Sequence, residues 1–424
     1  MTTSPSLAEH ADEVWHGRAE GGVFGFTAAG RGVQDVAPGI GWRAGFGNVA
    51  AFRTGDGLVL FDTGNPGDAA RLHADVRAWT AEPLTEAIYS HGHIDHVFGV
   101  DPFDAEADEL GRPRPTVIAH EAVLDRFDRY VLTNGYNTVV NRRQFQQPDL
   151  TWPSRFRLPD RTYRDSLTLV RGELTFELFH AKGETDDATV AWIPERRTLC
   201  AGDLFIWVAP NAGNPQKVQR YPAEWARALR RMAALDAETL LPAHGVPIFG
   251  AARVRQALEE TAEWLESLVE QTLALLNAGA RLDEIVREVR PPAHLAGRPY
   301  LRPLYDEPEF VVRNIWRLYG GWYDGNPATL KPAPDAVLAG ALAGLAGGPH
   351  RLADAASSAA VAGDLRLAGH LAELAVLAAP DDPALHAVRA AVFGARAEQE
   401  RSVMARGVFR WAAAESRRLA APPD

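Results

Sequence analysis

A single cysteine, Cys200, among 424 residues leaves no partner for an intramolecular disulfide. A disulfide-stapled secreted fold is therefore excluded, and the cysteine usage leans towards a reducing compartment. Basic residues are also in deficit, 44 Lys and Arg against 55 Asp and Glu, for a formal net charge of -11. Without an excess of positive charge to track phosphates, nucleic acid is not an expected partner. The N-terminal stretch Met1 to Gly22 lacks a continuous apolar core and carries Glu9, Asp12 and Glu13. Neither a secretory signal nor a transmembrane helix is expected there, so the predicted location is the cytoplasm, with no membrane partner.

What is present is ordinary globular composition, 46% hydrophobic and 23% charged, in a chain long enough for two or three domains. Asn48 to Phe52 and Leu58 to Phe61 are short apolar runs separated by Thr54-Gly55-Asp56-Gly57, the pattern of a hairpin. Ala69 to Trp79 has helical composition, and Leu84 to Tyr89 is apolar enough to be the next strand. A strand, helix, strand unit of this kind delivers His91 to the C-terminal end of a strand, where open α/β sheets place their ligands. Further strands are expected at Thr116 to Ala119, Leu167 to Val170, Leu174 to Phe179, Thr189 to Ile193 and Thr198 to Ala201. Tyr221 to Ala234 and Arg253 to Leu276 repeat apolar residues at three- and four-residue spacing and read as helices.

Beyond the breaker-rich stretch from Tyr323 to Pro334 the composition changes. Ala336 to Leu345, His350 to Ala362, Leu365 to Ala378, Pro383 to Arg396 and Gln399 to Ala413 form successive Ala- and Leu-rich amphipathic helices without a defined repeat. Trp316, Trp322 and Trp411 are expected in core or subunit interface.

The densest chemistry lies in His91-Gly92-His93-Ile94-Asp95-His96, three imidazoles and a carboxylate within six residues directly after a predicted strand. If His91 and His93 remain extended they point along one side, while a helical turn beginning at Asp95 aims Asp95 and His96 at a second point nearby. One loop can then feed two metals. Imidazole and carboxylate suit zinc or iron, and one cysteine rules out an all-thiolate site.

His91-x-His93-x-Asp95-His96 resembles the H-x-H-x-D-H motif of the metallo-β-lactamase superfamily, and the later elements of that family follow in order. Lys182-Gly183-Glu184-Thr185 stands where many members have Gly-His-Thr, Ala201-Gly202-Asp203 follows a strand, and Pro242-Ala243-His244-Gly245 closes another. The resemblance implies that Glu184, Asp203 and His244 complete the site, with Asp203 bridging two metals. Glutamate at position 184, the paired arginines of Asn141-Arg142-Arg143 and Trp322-Tyr323-Asp324-Gly325-Asn326-Pro327 narrow it to the zinc alkylsulfatases, also called type III sulfatases, over about Asn48 to Trp411. It implies an αββα sandwich over residues 1–275 and an all-α dimerisation domain over 276–424, hence a homodimer. Members usually continue into a further domain resembling sterol carrier proteins, beyond Asp424 here, so a preference for long alkyl tails does not carry over. They also place a sulfate-binding arginine where this chain has Asn214, with Lys217 and Arg220 nearby.

The expected chemistry is hydrolysis of a small anionic ester, first a sulfate ester, by hydroxide generated at two Zn2+ ions, iron being possible. Asp95 holds one metal and orients the attacking water, and Asp203 joins the metals. Asp62 orients the histidine loop from behind. Asn134, Tyr136, Asn137, Arg142 and Lys217 are the candidate substrate contacts. Another ester, a lactone or a thioester, or di-iron oxidoreductase chemistry on the same fold, remains compatible with this donor set.

Overall fold

The computed structural model describes residues 5–19 and 31–421. Residues 1–4 and 20–22 of the N-terminal stretch read above lie outside the described residues. No described helix is long and apolar enough to cross a membrane.

Two sheets follow each other along the chain. The first runs β1 (Val33–Ala37), β2 (Ile40–Arg43), β3 (Val49–Arg53), β4 (Leu58–Phe61), β5 (Leu84–Ile88), β6 (Thr116–His120) and β7 (Arg161–Tyr163), adjacent in that order. The second contains β8 (Ser166–Arg171), β9 (Leu174–Ala181), β10 (Ala188–Ile193), β11 (Thr198–Ile206), β12 (Thr239–His244) and β13 (Ile248–Phe249), again adjacent in sequence order. The first three pairs of the first sheet are antiparallel, and β3 and β4 meet across the expected turn, where Gly55 and Gly57 have φ of 78° and 107°. From β4 to β7 the pairing is parallel, as it is between β11 and β12. Parallel neighbours need crossovers, and the helix Ala69–Trp79 makes the one between β4 and β5.

Side chains alternate across each sheet, so one face of each sheet builds the shared core. Ile40, Trp42, Phe52, Phe61 and Ile88 from the first sheet pack with Leu169, Phe176, Leu178, Ile193, Cys200 and Leu241 from the second. Cys200 is fully buried there, and desolvation pushes its thiol well above the ordinary range. The opposite face of the first sheet is covered by Leu72, Val76 and Phe103. The helices Ala69–Trp79 and Asp101–Glu109 carry these three residues, which makes the layering αββα with the helices Pro222–Ala233 and Ala251–Asn277 on the far side.

Contacts divide the chain into two compact units. One contains both sheets and residues 284–321; the other contains residues 135–152, 281–283 and 322 onward. The division interleaves segments, where the sequence suggested one linear cut between 275 and 276. In the second unit the helices Asp335–Ala346, Pro349–Val361, Leu365–Ala378, Pro383–Gln399 and Val403–Ala420 bury small side chains, among them Ala343, Ala353, Ala356, Ala368, Ala372 and Ala375. Asp364, Asp382 and Ser402 cap three of these helices by accepting from Leu367 N, Ala384 N and Ala405 N. The breaker-rich stretch is a built turn: Asp324 accepts from Asn326 N and Thr329 Oγ1, while Gly325 sits at φ 90° against Arg281. Trp316 is buried, whereas Trp322 is 70% exposed.

Phe52 is wholly buried and meets Phe176 of the other sheet edge-on, with ring centroids 5.3 Å apart. Phe52→Ala is expected to lower unfolding free energy by about 3–5 kcal/mol. Urea denaturation checks it; a loss within about 0.5 kcal/mol, the range of surface changes, would contradict a core shared between the sheets.

Candidate metal centre

Two loops and two strands bring the expected residues together. His91, His93, Asp95 and His96 leave the end of β5, Glu184 lies in the β9–β10 connection, Asp203 is inside β11 and His244 ends β12. Two groups of donor atoms result: His91, His93 and Asp203 in one, Asp95, His96 and His244 in the other, each with its atoms within 4.8 Å of one another. The two oxygens of Asp203 separate between them. Oδ2 lies 3.6 Å from His91 Nε2, while Oδ1 lies 3.6 Å from His96 Nε2 and 3.2 Å from His244 Nε2. Asp95 Oδ2 is 3.4 Å from His96 Nε2 and 3.5 Å from His244 Nε2, and Glu184 Oε1 is 3.8 Å from His93 Nδ1.

These separations decide between a hydrogen-bonded cluster and a cation site. Donors about 2.0–2.2 Å from one tetrahedral ion stand about 3.3–3.6 Å from each other, which matches most of the distances above. His96 Nε2 and Asp203 Oδ1 are buried with no hydrogen-bond partner, and His91 Nε2 faces His93 Nδ1 at 2.7 Å. Buried polar atoms are ordinarily satisfied, so the unpartnered atoms of the His96 and His244 cluster fit a divalent cation there, and the imidazole and carboxylate donors of the other group suit a second.

The electrostatics divide the donors. Desolvation drives His91 down to about 4 and His93 well below its ordinary value, so both rings present neutral lone pairs. Burial pushes Glu184 up to about 8, against the pull of Arg220. Burial pushes Asp203 the same way, but His244, His96 and His91 outweigh it and hold the carboxylate well below the usual range. Burial would lower His96 too, yet Asp95, Asp62 and Asp203 raise it well above normal.

Behind the donors stands a second ring of contacts. Asp62, at φ 62°, accepts from Ser90 N at 2.7 Å through Oδ1 and lies 2.9 Å from His96 Nδ1 through Oδ2, which points the other ring nitrogen of His96 inwards. Ser90 Oγ holds His91 Nδ1 at 2.9 Å. Sequence reasoning placed Asp62 in this role but missed its counterparts. Asp187, fully buried, accepts from Gly92 N at 3.0 Å and from Arg126 Nε at 2.7 Å. Asn48 donates to Pro242 O at 3.1 Å and Gly245 O at 2.7 Å, bracing the loop that carries His244. Asn211 donates to Glu184 Oε1. The signal available for Asp187 was its place three residues after Glu184; a buried arginine inside an amphipathic helix gives none.

The loop after Asp203 approaches the centre from one side. Arg220, 2% exposed, donates through Nη1 to Glu184 O and lies 3.2 Å from Glu184 Oε1. Asn314 clasps the Arg220 backbone, and Asp306 Oδ2 accepts from Gly213 N and Asn214 N. Lys217 is desolvated, which brings its ammonium down to about 7; Arg220 adds to that, while Glu184 and Asp95 oppose it. The other substrate candidates are engaged locally. Asn134 Nδ2 donates to Pro153 O, the Asn137 carbonyl accepts from Asn141 Nδ2, and Arg142 Nε donates to Leu150 O, while Tyr136 is exposed.

Comparison with known proteins follows the same division. A model of the metallo-beta-lactamase superfamily matches residues 42–244, and one for alkyl sulfatase dimerisation matches residues 281–418. A linear primary-alkylsulfatase from Pseudomonas sp. is 30% identical over 361 residues, covering 80% of this chain and 68% of the relative. An (R)-specific secondary-alkylsulfatase from Pseudomonas sp. is 25% identical over 400 residues, 87% of this chain and 60% of that one. The solved structure of a stereoselective inverting sec-alkylsulfatase from Pseudomonas sp. has the same fold, with a TM-score of 0.82 at 23% identity over 92% of this chain and 66% of that chain. Likeness of this depth over both segments settles the family: the chain belongs to the alkylsulfatases of the metallo-β-lactamase superfamily, sulfuric ester hydrolases built on that fold.

Proposed function

We propose that this chain hydrolyses the sulfate ester of a small organic alcohol at two divalent cations, zinc by preference, held by His91, His93, Glu184 and Asp203 on one side and Asp95, His96, His244 and Asp203 on the other. The observation that carries it is the split of Asp203, whose two carboxylate oxygens each face a different imidazole cluster. Cations held there would acidify a water and offset charge on the leaving oxygen. The donor set has imidazole nitrogen and carboxylate oxygen without thiolate, which suits zinc and accommodates iron.

The chain's own side chains supply the rest. Asp95, on the face shared with His244, accepts a hydrogen bond from the attacking water and orients it. Lys217 and Arg220 put positive charge beside Glu184 and favour an anionic substrate. Two buried donors without an acceptor, Arg220 Nε and Asn214 Nδ2, support this reading of that loop. An unsatisfied buried donor costs about 1–3 kcal/mol, and the oxygens of a sulfate would relieve it. The proposed division of labour follows the sequence: residues 1–275 carry the chemistry and 276–424 self-association, in a cytoplasmic homodimer.

Asp203→Ala is expected to lose both metal and sulfatase activity, as read by metal analysis and turnover of an alkyl sulfate on protein whose circular dichroism is unchanged. Full activity with two metals bound would sink the assignment. Lys217→Ala is expected to raise KM for a sulfate ester by about 10- to 100-fold, the worth of a hydrogen bond to a charged group, with a smaller change in kcat. A screen across sulfate, phosphate and carboxylate esters tests the anion, and faster turnover of a phosphate ester than of any sulfate would reject it. Sedimentation at the mass of two chains is expected, and a monomer would refute the homodimer.

A further inference from the structure

Gly92 separates the two histidines that open the metal loop, and its surroundings explain why it has no side chain. A Cβ there would come within 2.8 Å of Arg126 Cδ and 3.2 Å of Asp187 Oδ2. The Arg126 side chain lies across the loop, and the Gly92 amide donates to the carboxylate that Arg126 holds. Arg126 is 3% exposed and comes from the helix Ala122–Leu132; its Nη2 also pairs with Asp186. One turn further along the same helix, Tyr130 stacks on His93 with ring centroids 6.4 Å apart. Asp186 and Asp187 belong to the segment that carries Glu184. A single buried ion pair thus ties together the two chain segments that supply His91, His93 and Glu184.

The other cluster is held differently. His96 is oriented by Asp62, and the His244 loop by Asn48. Asp62 also reaches the first cluster through Ser90, whose amide it accepts and whose hydroxyl holds His91, whereas the hydrogen bonds of Arg126 and Asp187 go to Gly92 and Asp186.

We propose that Arg126 and Asp187 are positioning residues for one half of the centre: by fixing the Gly92 amide they aim His91 and His93, with Glu184, at one cation. The proposal rests on the two-cation reading above. It predicts graded rather than general loss. Fixing a ligand's orientation from behind is worth about 10- to 100-fold in metal affinity, and here that loss falls on one equivalent of two.

The test is metal stoichiometry and chelator-release kinetics on the purified full chain loaded with zinc. The expected results are two equivalents in the unaltered protein, and in Asp187→Ala one equivalent held as before and one released at about 10- to 100-fold lower chelator concentration. Asp62→Ala, which frees His96 and the Ser90 that holds His91, is expected to loosen both equivalents. Because Asp187→Ala leaves the Arg126 charge buried, Arg126→Met/Asp187→Leu removes both charges at once and keeps the test available if the single variant fails to fold. Phe127→Ala, on the same helix but in the apolar core behind it, is the packing control and is expected to keep both equivalents. Both equivalents held as tightly in Asp187→Ala and in the double charge-removed variant would overturn the proposal, and so would equal loosening by Phe127→Ala. Fewer than two equivalents in the unaltered protein would instead remove the two-cation reading, and this proposal with it.

Discussion

Three carboxylates and four imidazoles converge where almost no water reaches, and that concentration of like-functioned groups is the constraint around which the sheets are arranged. His91, His96, Glu184, Asp203 and His244 are each under 9% exposed. Ionised groups removed from water are costly unless they are paired or coordinate a cation. Apart from the imidazoles themselves, Glu184 is paired with Arg220, while Asp95 and Asp203 face imidazoles. The cluster therefore calls for positive charge of its own, and the orphaned Asp203 Oδ1 and His96 Nε2 show where it is wanted.

Holding such a cluster together requires close backbone approach, which glycine permits. Gly202 sits at φ 54°, and a Cβ there would come within 2.8 Å of Ser90 Cβ. Gly245, at φ 85°, lies against the Trp207 ring in the same way. Both neighbour a donor residue in sequence, Asp203 and His244. A turn that brings a carboxylate or an imidazole to a strand end leaves no room for a side chain beside it.

Much of this was legible in the sequence where a period or a motif carried it. The strands at β3, β4 and β5, the helix Ala69–Trp79 and the helix Leu365–Ala378 fall within a residue or two of expectation, because apolar spacing alone defines them. The seven candidate donors were found through ordered motifs; six of them fall into two groups of donor atoms, and Glu184 stands 3.8 Å from His93 Nδ1. What escaped notice lacked a periodic signal. The helix Asn134–Phe145 reads Asn-Gly-Tyr-Asn-Thr-Val-Val-Asn-Arg-Arg-Gln-Phe, with no apolar stripe, and is shaped by tertiary contacts such as the approach of Gln144 to Gly407. The helix Pro308–Gly320 was absorbed into a region described only as helix-rich, yet its Asn314 fixes the loop that carries Arg220. A partner such as Asn48, far in sequence from the carbonyls it holds, cannot be recognised from spacing at all.

A carboxylate that faces both donor clusters makes them interdependent. Asp203 faces His91 with one oxygen and His96 and His244 with the other, so rotating the carboxylate to favour one cluster withdraws it from the second. Its backbone lies inside β11, beyond Cys200, where the pairing with β10 ends, and between Gly202 and Ile206, where the register with β12 shifts. The adjustable parts are the side chains around it, whose rings turn on contacts such as Asp62 to His96 and Ser90 to His91. One carboxylate thus couples the two clusters, while the rings of His91 and His96 are each oriented by a contact of their own.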